Sequence, residues 1–169
     1  REVKRRSINE ISYSKIKGRP VKELIRVLSA RKFSPILTDK IWEWSELSFD
    51  KWVASQLKPE LSSIHTYEHA ALATLKRAKQ LGIVSFYEQP SQHHAFFSSI
   101  VQEQIEKHPQ FNTGNINLLR DAKSVRRNAR RDEELNTCDF IICNSTFTKS
   151  TLITAGINEE KIITIPYGF

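Results

Sequence analysis

Polar and ionisable side chains that could do chemistry gather in three short stretches. These are His65-Thr66-Tyr67-Glu68, Tyr87-Glu88-Gln89-Pro90-Ser91-Gln92-His93-His94, and Asn144-Ser145 with Thr148 close behind. Two carboxylates about 5 Å apart would suit retaining glycoside hydrolysis, one as nucleophile and one as acid and base. Glu68 and Glu88 would have to meet for that, and Glu68 has a competing task at a helix start, where the dipole stabilises a carboxylate. Hydrolysis is therefore not the favoured reading. His65, His69, His93 and His94 invite a metal, yet His65 and His69 straddle a predicted strand-helix junction, so the i, i+4 pairing of imidazoles on one helical face does not apply. Each histidine is expected to hydrogen-bond, and no metal is expected. Ser145 reads first as a helix cap, with Asn144 and Thr148 able to present polar groups to a ligand. Cys138 and Cys143 sit in or beside an apolar stretch without a CxxC or CxH neighbour and read as small buried thiols.

An alternation of short apolar runs and helical patterns would bring these stretches together. Residues 61–68 and 83–89 read as strands around a helix at 69–82, with Gly82 past its end. Phe97, Ile100, Val101 and Ile105 mark a second helix. A Gly-Asn loop near 112–115 leads into a third, on which Leu118, Ala122, Val125 and Ala129 repeat at helical spacing. Strand 139–144, a helix ending at Gly156 and strand 161–166 complete the series. Strands too apolar for one wet face, separated by helices, predict a parallel sheet covered on both sides: an α/β, Rossmann-like, doubly wound architecture. Ligands of such sheets lie beyond the carboxyl ends of the strands, where helices begin. His65, Glu68, Glu88, Gln89, His93, Asn144 and Ser145 are thus predicted to share one rim.

Upstream, residues 1–20 read as loop, and Val21, Leu24, Ile25 and Leu28 place an apolar stripe on a helix. Trp42 and Trp44 alternate as on a strand face; packing in a core is preferred, with a membrane surface as the rival. Ser48 is expected to cap a helix carrying Phe49, Trp52, Val53 and Leu57. Residues 1–47 form a helical or irregular segment in this reading, and 48–169 the α/β domain.

The net charge of +7, from 26 basic and 19 acidic residues, favours anionic partners without naming one. The run KSVRRNARRDEE (123–134) reads as a solvated helix face with Arg130 and Glu134 paired at i, i+4. No aromatic residue interleaves it, so nucleic acid is not expected. No run approaches the ~20 apolar residues of a spanning helix, and a cytoplasmic location is expected, with peripheral membrane association as a further option. The chain contains no methionine and starts with Arg, which suggests a piece of a longer protein.

From Glu134 to Gly168 the sequence carries, in order, Glu134, five residues, Asp139, an apolar strand, Ser145, a helix ending in Gly156, then a strand and Pro166-Tyr167-Gly168. This order resembles the end of the N-terminal domain of family 4 glycosyltransferases of the GT-B fold, and the upstream stretch SSIHTYEHAALATLKRAKQLGIVSFYE is similar to the strand, helix and strand before that family's sugar-facing loop. The likeness covers about residues 48–169. It implies half of a GT-B architecture and transfer of a sugar from a nucleotide-sugar donor to an acceptor with retention. The acceptor remains open among glycans, lipids and small molecules. No cofactor is implied beyond the donor substrate. Where many members carry His, this chain has Glu88, which becomes the candidate catalytic contact; His65, Glu68, Gln89, His93, Asn144 and Ser145 would bind substrate. The family's Gly-rich first strand-loop and its C-terminal donor-binding domain are not found in the sequence, so the isolated piece is expected to be inactive and to self-associate or be marginally stable. Rival readings are a noncatalytic module binding anions or nucleic acid, and a GT-B-like nucleotide-sugar epimerase.

Overall fold

The computed structural model describes residues 12–112 and 122–168. Residues 1–11 of the expected N-terminal loop, and the third helix's predicted start with Leu118, lie outside them. Two compact units divide the chain, Arg1–Ser45 and Glu46–Phe169.

In the first unit Pro20 opens helix α1 (Pro20–Lys32) at a position where its missing N–H costs nothing. Helix α2 (Pro35–Gln56) starts here and ends in the second unit. Thr38 Oγ1 donates to the Ser29 carbonyl at 3.1 Å and Trp42 Nε1 to that of Arg26 at 3.2 Å. The Arg26 guanidinium lies 4.5 Å from the Trp42 ring centroid, in cation-π range. Trp42 and Trp44 are therefore helical, and Ser48 lies inside a helix instead of capping one. Two tryptophans span too little chain to separate a period of 2 from one of 3.6. The apolar stripe of α1 is exposed, with Val21 at 70% and Leu24 at 58%.

The second unit is α/β. Strands β1 (Ser63–Tyr67), β2 (Val84–Gln89), β3 (Phe140–Cys143) and β4 (Ile162–Thr164) form one all-parallel sheet in the order β1-β2-β3-β4. Helix α3 (Leu72–Leu81) joins β1 to β2; α4 (His94–Lys107) and α5 (Ala122–Thr137) lie between β2 and β3; α6 (Thr146–Thr154) leads to β4. This is a helix-flanked parallel sheet of Rossmann-like type, the expected class. Gly82, at φ 69°, ends α3 in the left-handed conformation that glycine adopts without a Cβ penalty.

Parallel crossovers are right-handed, so strands added consecutively in one direction receive their connecting helices on one face. Burial agrees: Ser85, Tyr87, Gln89, Ile141, Cys143 and Ile162 are buried. On the opposite face Tyr67, Val84, Phe140 and Ile163 are exposed, and Phe86 stacks on Phe140 at 5.4 Å. Of the two covered faces expected from the apolar strands, the described residues cover one. Cys138 and Cys143 are buried free thiols, and burial pushes the Cys138 thiol up to about 11.

Three helix starts on this sheet are closed by the protein's own side chains. For α3, Asp50 of α2 accepts from Ala73 N (2.7 Å), Thr74 N (2.9 Å) and Thr74 Oγ1 (2.6 Å), taking the role of an N-cap from a distant element. Just ahead of it, Ala71 N donates to Glu134 Oε1 at 3.0 Å, and Tyr87 Oη donates to Glu134 Oε2 at 2.8 Å. Glu134 is completely buried. Burial pushes its carboxyl above the usual range, opposed by these two bonds and by Arg130. His93 Nδ1 accepts from Ala95 N at the start of α4, and Ser145 Oγ from Thr148 N at that of α6.

Candidate functional site

The carboxyl ends of β1 and β2 carry a connected polar network on the covered side. Gln89, buried at the end of β2, donates through Nε2 to the Ser91 carbonyl at 3.0 Å, which shapes the turn that returns the chain toward α4. Ser91 Oγ donates to Glu68 Oε2 at 2.8 Å, and the Glu68 side chain is only 5% exposed. A buried carboxylate needs such partners to offset lost hydration.

His69 follows with φ 94°, a backbone state that a residue bearing a Cβ holds only when its surroundings enforce it. Arg130 donates to its carbonyl at 2.8 Å and Arg131 Nε to its Nδ1 at 3.0 Å. Because Nδ1 accepts, the proton of the neutral ring resides on Nε2, 3.5 Å from Glu68 Oε1. Burial and the charges of Arg131, Arg130 and Arg127 hold the imidazole below its ordinary value of 6.5, against the pull of Glu68. A depressed histidine pKa favours folding fully above the unfolded value and loses that stability as pH falls through it. Lowering pH from about 7.5 to about 5.5, across the ordinary histidine range, is thus expected to lower the wild-type Tm more than that of His69→Asn. His93, held down chiefly by burial, keeps part of the slope in the variant, while Glu134 acts with the opposite sign in both. Equal slopes in thermal melts would remove His69 as a contributor.

His93, His94 and Asp132 place three ligand atoms within 4.8 Å of one another. His93 Nε2 lies 3.1 Å and His94 Nε2 2.6 Å from Asp132 Oδ1. The Nδ1 lone pair of His93 is already used by Ala95 N, so its proton sits on Nε2 and points at Asp132. A metal at Nε2 would require the other tautomer and would break the helix cap. The trio works as a hydrogen-bonded tie between α4 and α5, which is the role expected for these histidines.

Between these groups opens a cleft of about 350 Å³. Along α5, Ser124, Arg127, Asn128 and Arg131 fall at i, i+3, i+4 and i+7 and line one wall; Phe97 and Ser98 of α4 line the other, and Glu68 and His69 lie at the strand ends. The basic run is therefore not a solvated face on this side. On the same helix Val125 and Ala129 are exposed, Val125 at 61%, and Leu135 packs in the core. The missed signal was a polar stripe at helical spacing, hidden in a run that reads as uniformly charged.

Of the residues predicted to share the rim, Glu68 lines the cleft and is linked to Gln89 through Ser91, while His93 bonds to Asp132 and to Ala95 N. His65 and Glu88 are not part of that group: they pair with each other at 3.2 Å on the open face of the sheet. Strand alternation decides this, because Glu88 sits between Tyr87 and Gln89, whose side chains go to the covered side. The same alternation separates Glu88 from Glu68, so the facing carboxylate pair of a retaining hydrolase does not form. Asn144 and Ser145 stay at the start of α6, where Asn144 Oδ1 accepts from Thr148 Oγ1 at 3.3 Å; neither lines the cleft. The single rim predicted from sequence resolves into three places.

No protein-family model matches the chain, and no curated protein or solved structure matches it. No helix among the described residues is long and apolar enough to cross a membrane.

Proposed function

We propose that this chain forms the acceptor-side half of a retaining glycosyltransferase, which moves a sugar from a nucleotide-sugar donor to an acceptor once a donor-binding domain completes the site. The observation that carries the reading is the cleft at the carboxyl ends of β1 and β2, the place where parallel α/β sheets take ligands. The ordered residues behind the family resemblance support it through the frame. Glu134 ties α5 to Ala71 and Tyr87, Asp139 accepts from Ser85 N at 2.8 Å, Ser145 caps α6, and Gly156 adopts φ 90° past that helix.

In this reading the acceptor enters the cleft, and Glu88, with His65 beside it on the opposite face of the sheet, meets the transferred sugar where it reaches past the strand ends, accepting from its hydroxyls. Replacing Glu88 by Ala in the full-length enzyme is expected to lower turnover of UDP- and GDP-hexoses by about tenfold or more, the worth of one hydrogen bond to a charged group in a transition state. The melting temperature should hardly move, because Glu88 lies on the open face with a largely exposed partner. An unchanged rate removes Glu88 from the site. Anion binding that weakens steeply with salt, and no turnover of any nucleotide sugar, would replace the enzyme by a noncatalytic module.

Peripheral membrane contact belongs to the same proposal. Residues 12–45 hold eight basic and three acidic side chains, and α1 turns Val21 and Leu24 outward. Val21→Asp is expected to abolish cosedimentation with phosphatidylglycerol vesicles; a wild-type protein that stays in the supernatant removes the membrane from the reading.

A further inference from the structure

The cleft beside α5 has a chemistry that the family resemblance did not supply. Arg127 and Arg131 stand one turn apart on its wall. Hydroxyls of Ser98 and Ser124 and the amide of Asn128 line the same space. Glu68, the one carboxylate among the described residues that line it, is already engaged by Ser91, His69 and Arg131. Guanidinium groups present planar forks that match the paired oxygens of a phosphate, and serine and asparagine add neutral donors to the remaining oxygens. Phe97, 42% exposed, adds an apolar surface on which the face of a sugar or polyol ring can lie.

We propose that this cleft binds a phosphate group carried by the acceptor, so that the acceptor is a phosphorylated polyhydroxyl compound. The inference rests on the reading of the cleft as the acceptor side. Its volume of about 350 Å³ falls at the small end of ligand pockets, in keeping with one ring and one phosphate. At the starts of α3, α4 and α6, Asp50, Glu134, His93 and Ser145 already accept from main-chain N–H groups. Among the described residues of the cleft, Arg127 and Arg131 supply the positive charge. Two arginines of α5 converge beside the cleft at His69, Arg131 Nε donating to its Nδ1 at 3.0 Å and Arg130 to its carbonyl at 2.8 Å.

The test uses the full chain with glucose 6-phosphate, inorganic phosphate and glucose as calorimetric titrants. Glucose 6-phosphate is expected to bind saturably and at least about tenfold more tightly than glucose, with Arg127→Gln losing about tenfold and Arg127→Lys less, because lysine keeps the charge but not the fork. Ser98→Asp, at an exposed position that tolerates the change in the fold, sets a negative charge in the cleft and is expected to abolish phosphate binding. Vesicles of phosphatidylcholine and phosphatidic acid separate the sources: cosedimentation lost in Ser98→Asp assigns the phosphate to a lipid headgroup, and a response to the soluble titrant alone assigns it to a free sugar phosphate. Absence of saturable binding to every phosphate probe, or equal binding by wild type, Arg127→Gln and Ser98→Asp, overturns the inference. Arg127-dependent phosphate binding without transfer from any nucleotide sugar overturns the transferase reading alone, and equal transfer to phosphorylated and neutral acceptors overturns this inference alone.

Discussion

Glu134→Ala is expected to destabilise the fold by about 4 kcal/mol, within the range for removing one member of a buried charged network. The carboxylate is fully buried and accepts from Ala71 N at 3.0 Å and Tyr87 Oη at 2.8 Å, with Arg130 Nε 3.8 Å away. Truncation strands two buried donors and removes the charge facing a half-buried guanidinium. Each stranded donor costs about 1–3 kcal/mol, which exceeds what is regained by no longer burying the carboxylate. Glu134→Gln keeps one acceptor oxygen and should lose about half as much; Tyr87→Phe removes one hydrogen bond to the buried carboxylate and should cost about 2 kcal/mol. Urea unfolding measures all three. A loss below about 1 kcal/mol for Glu134→Ala would mean that water replaces the carboxylate at both donors.

Asp50→Ala is expected to cost about 3 kcal/mol, more than an ordinary cap, because one carboxylate serves two main-chain donors and the Thr74 hydroxyl and also faces the positive end of α3. Asp50→Asn retains an acceptor but not the charge and should cost about 1 kcal/mol. Beyond the melt, amide exchange at Ala73 and Thr74 is expected to accelerate in Asp50→Ala while the amides of β2 keep their protection. Unchanged exchange at Ala73 and Thr74 would show that Asp50 does not hold the start of α3.

The frame of the second unit is legible because its signals are local. The β-branched and aromatic runs SIHTY, VSFYEQ and FIIC stand between helical patterns, and Gly82 and Gly156 end α3 and α6 where the sequence places them. Only the second half of α2 was legible, from Phe49, Trp52 and Val53; upstream, Trp42 and Trp44 imitate a strand over three residues. Asp50 and Glu134 escaped for another reason. Their partners lie 24 and 63 residues away, and no spacing rule links a carboxylate to an amide at that range. At the site, Glu68 and Gln89 could be grouped because strand ends in a parallel sheet converge by topology. Glu88 was misplaced by one step of the pleat, since the end of a strand fixes the edge on which a residue lies but not the side to which it points.

At the starts of α3, α4 and α6, carboxylate, imidazole and hydroxyl groups of the protein occupy main-chain donors of the kind that many α/β proteins devote to anions. A main-chain socket is built into the fold, whereas discrimination delegated to the tips of long side chains can be retuned by a single codon. Selectivity at this edge can therefore drift between relatives while the scaffold beneath stays put.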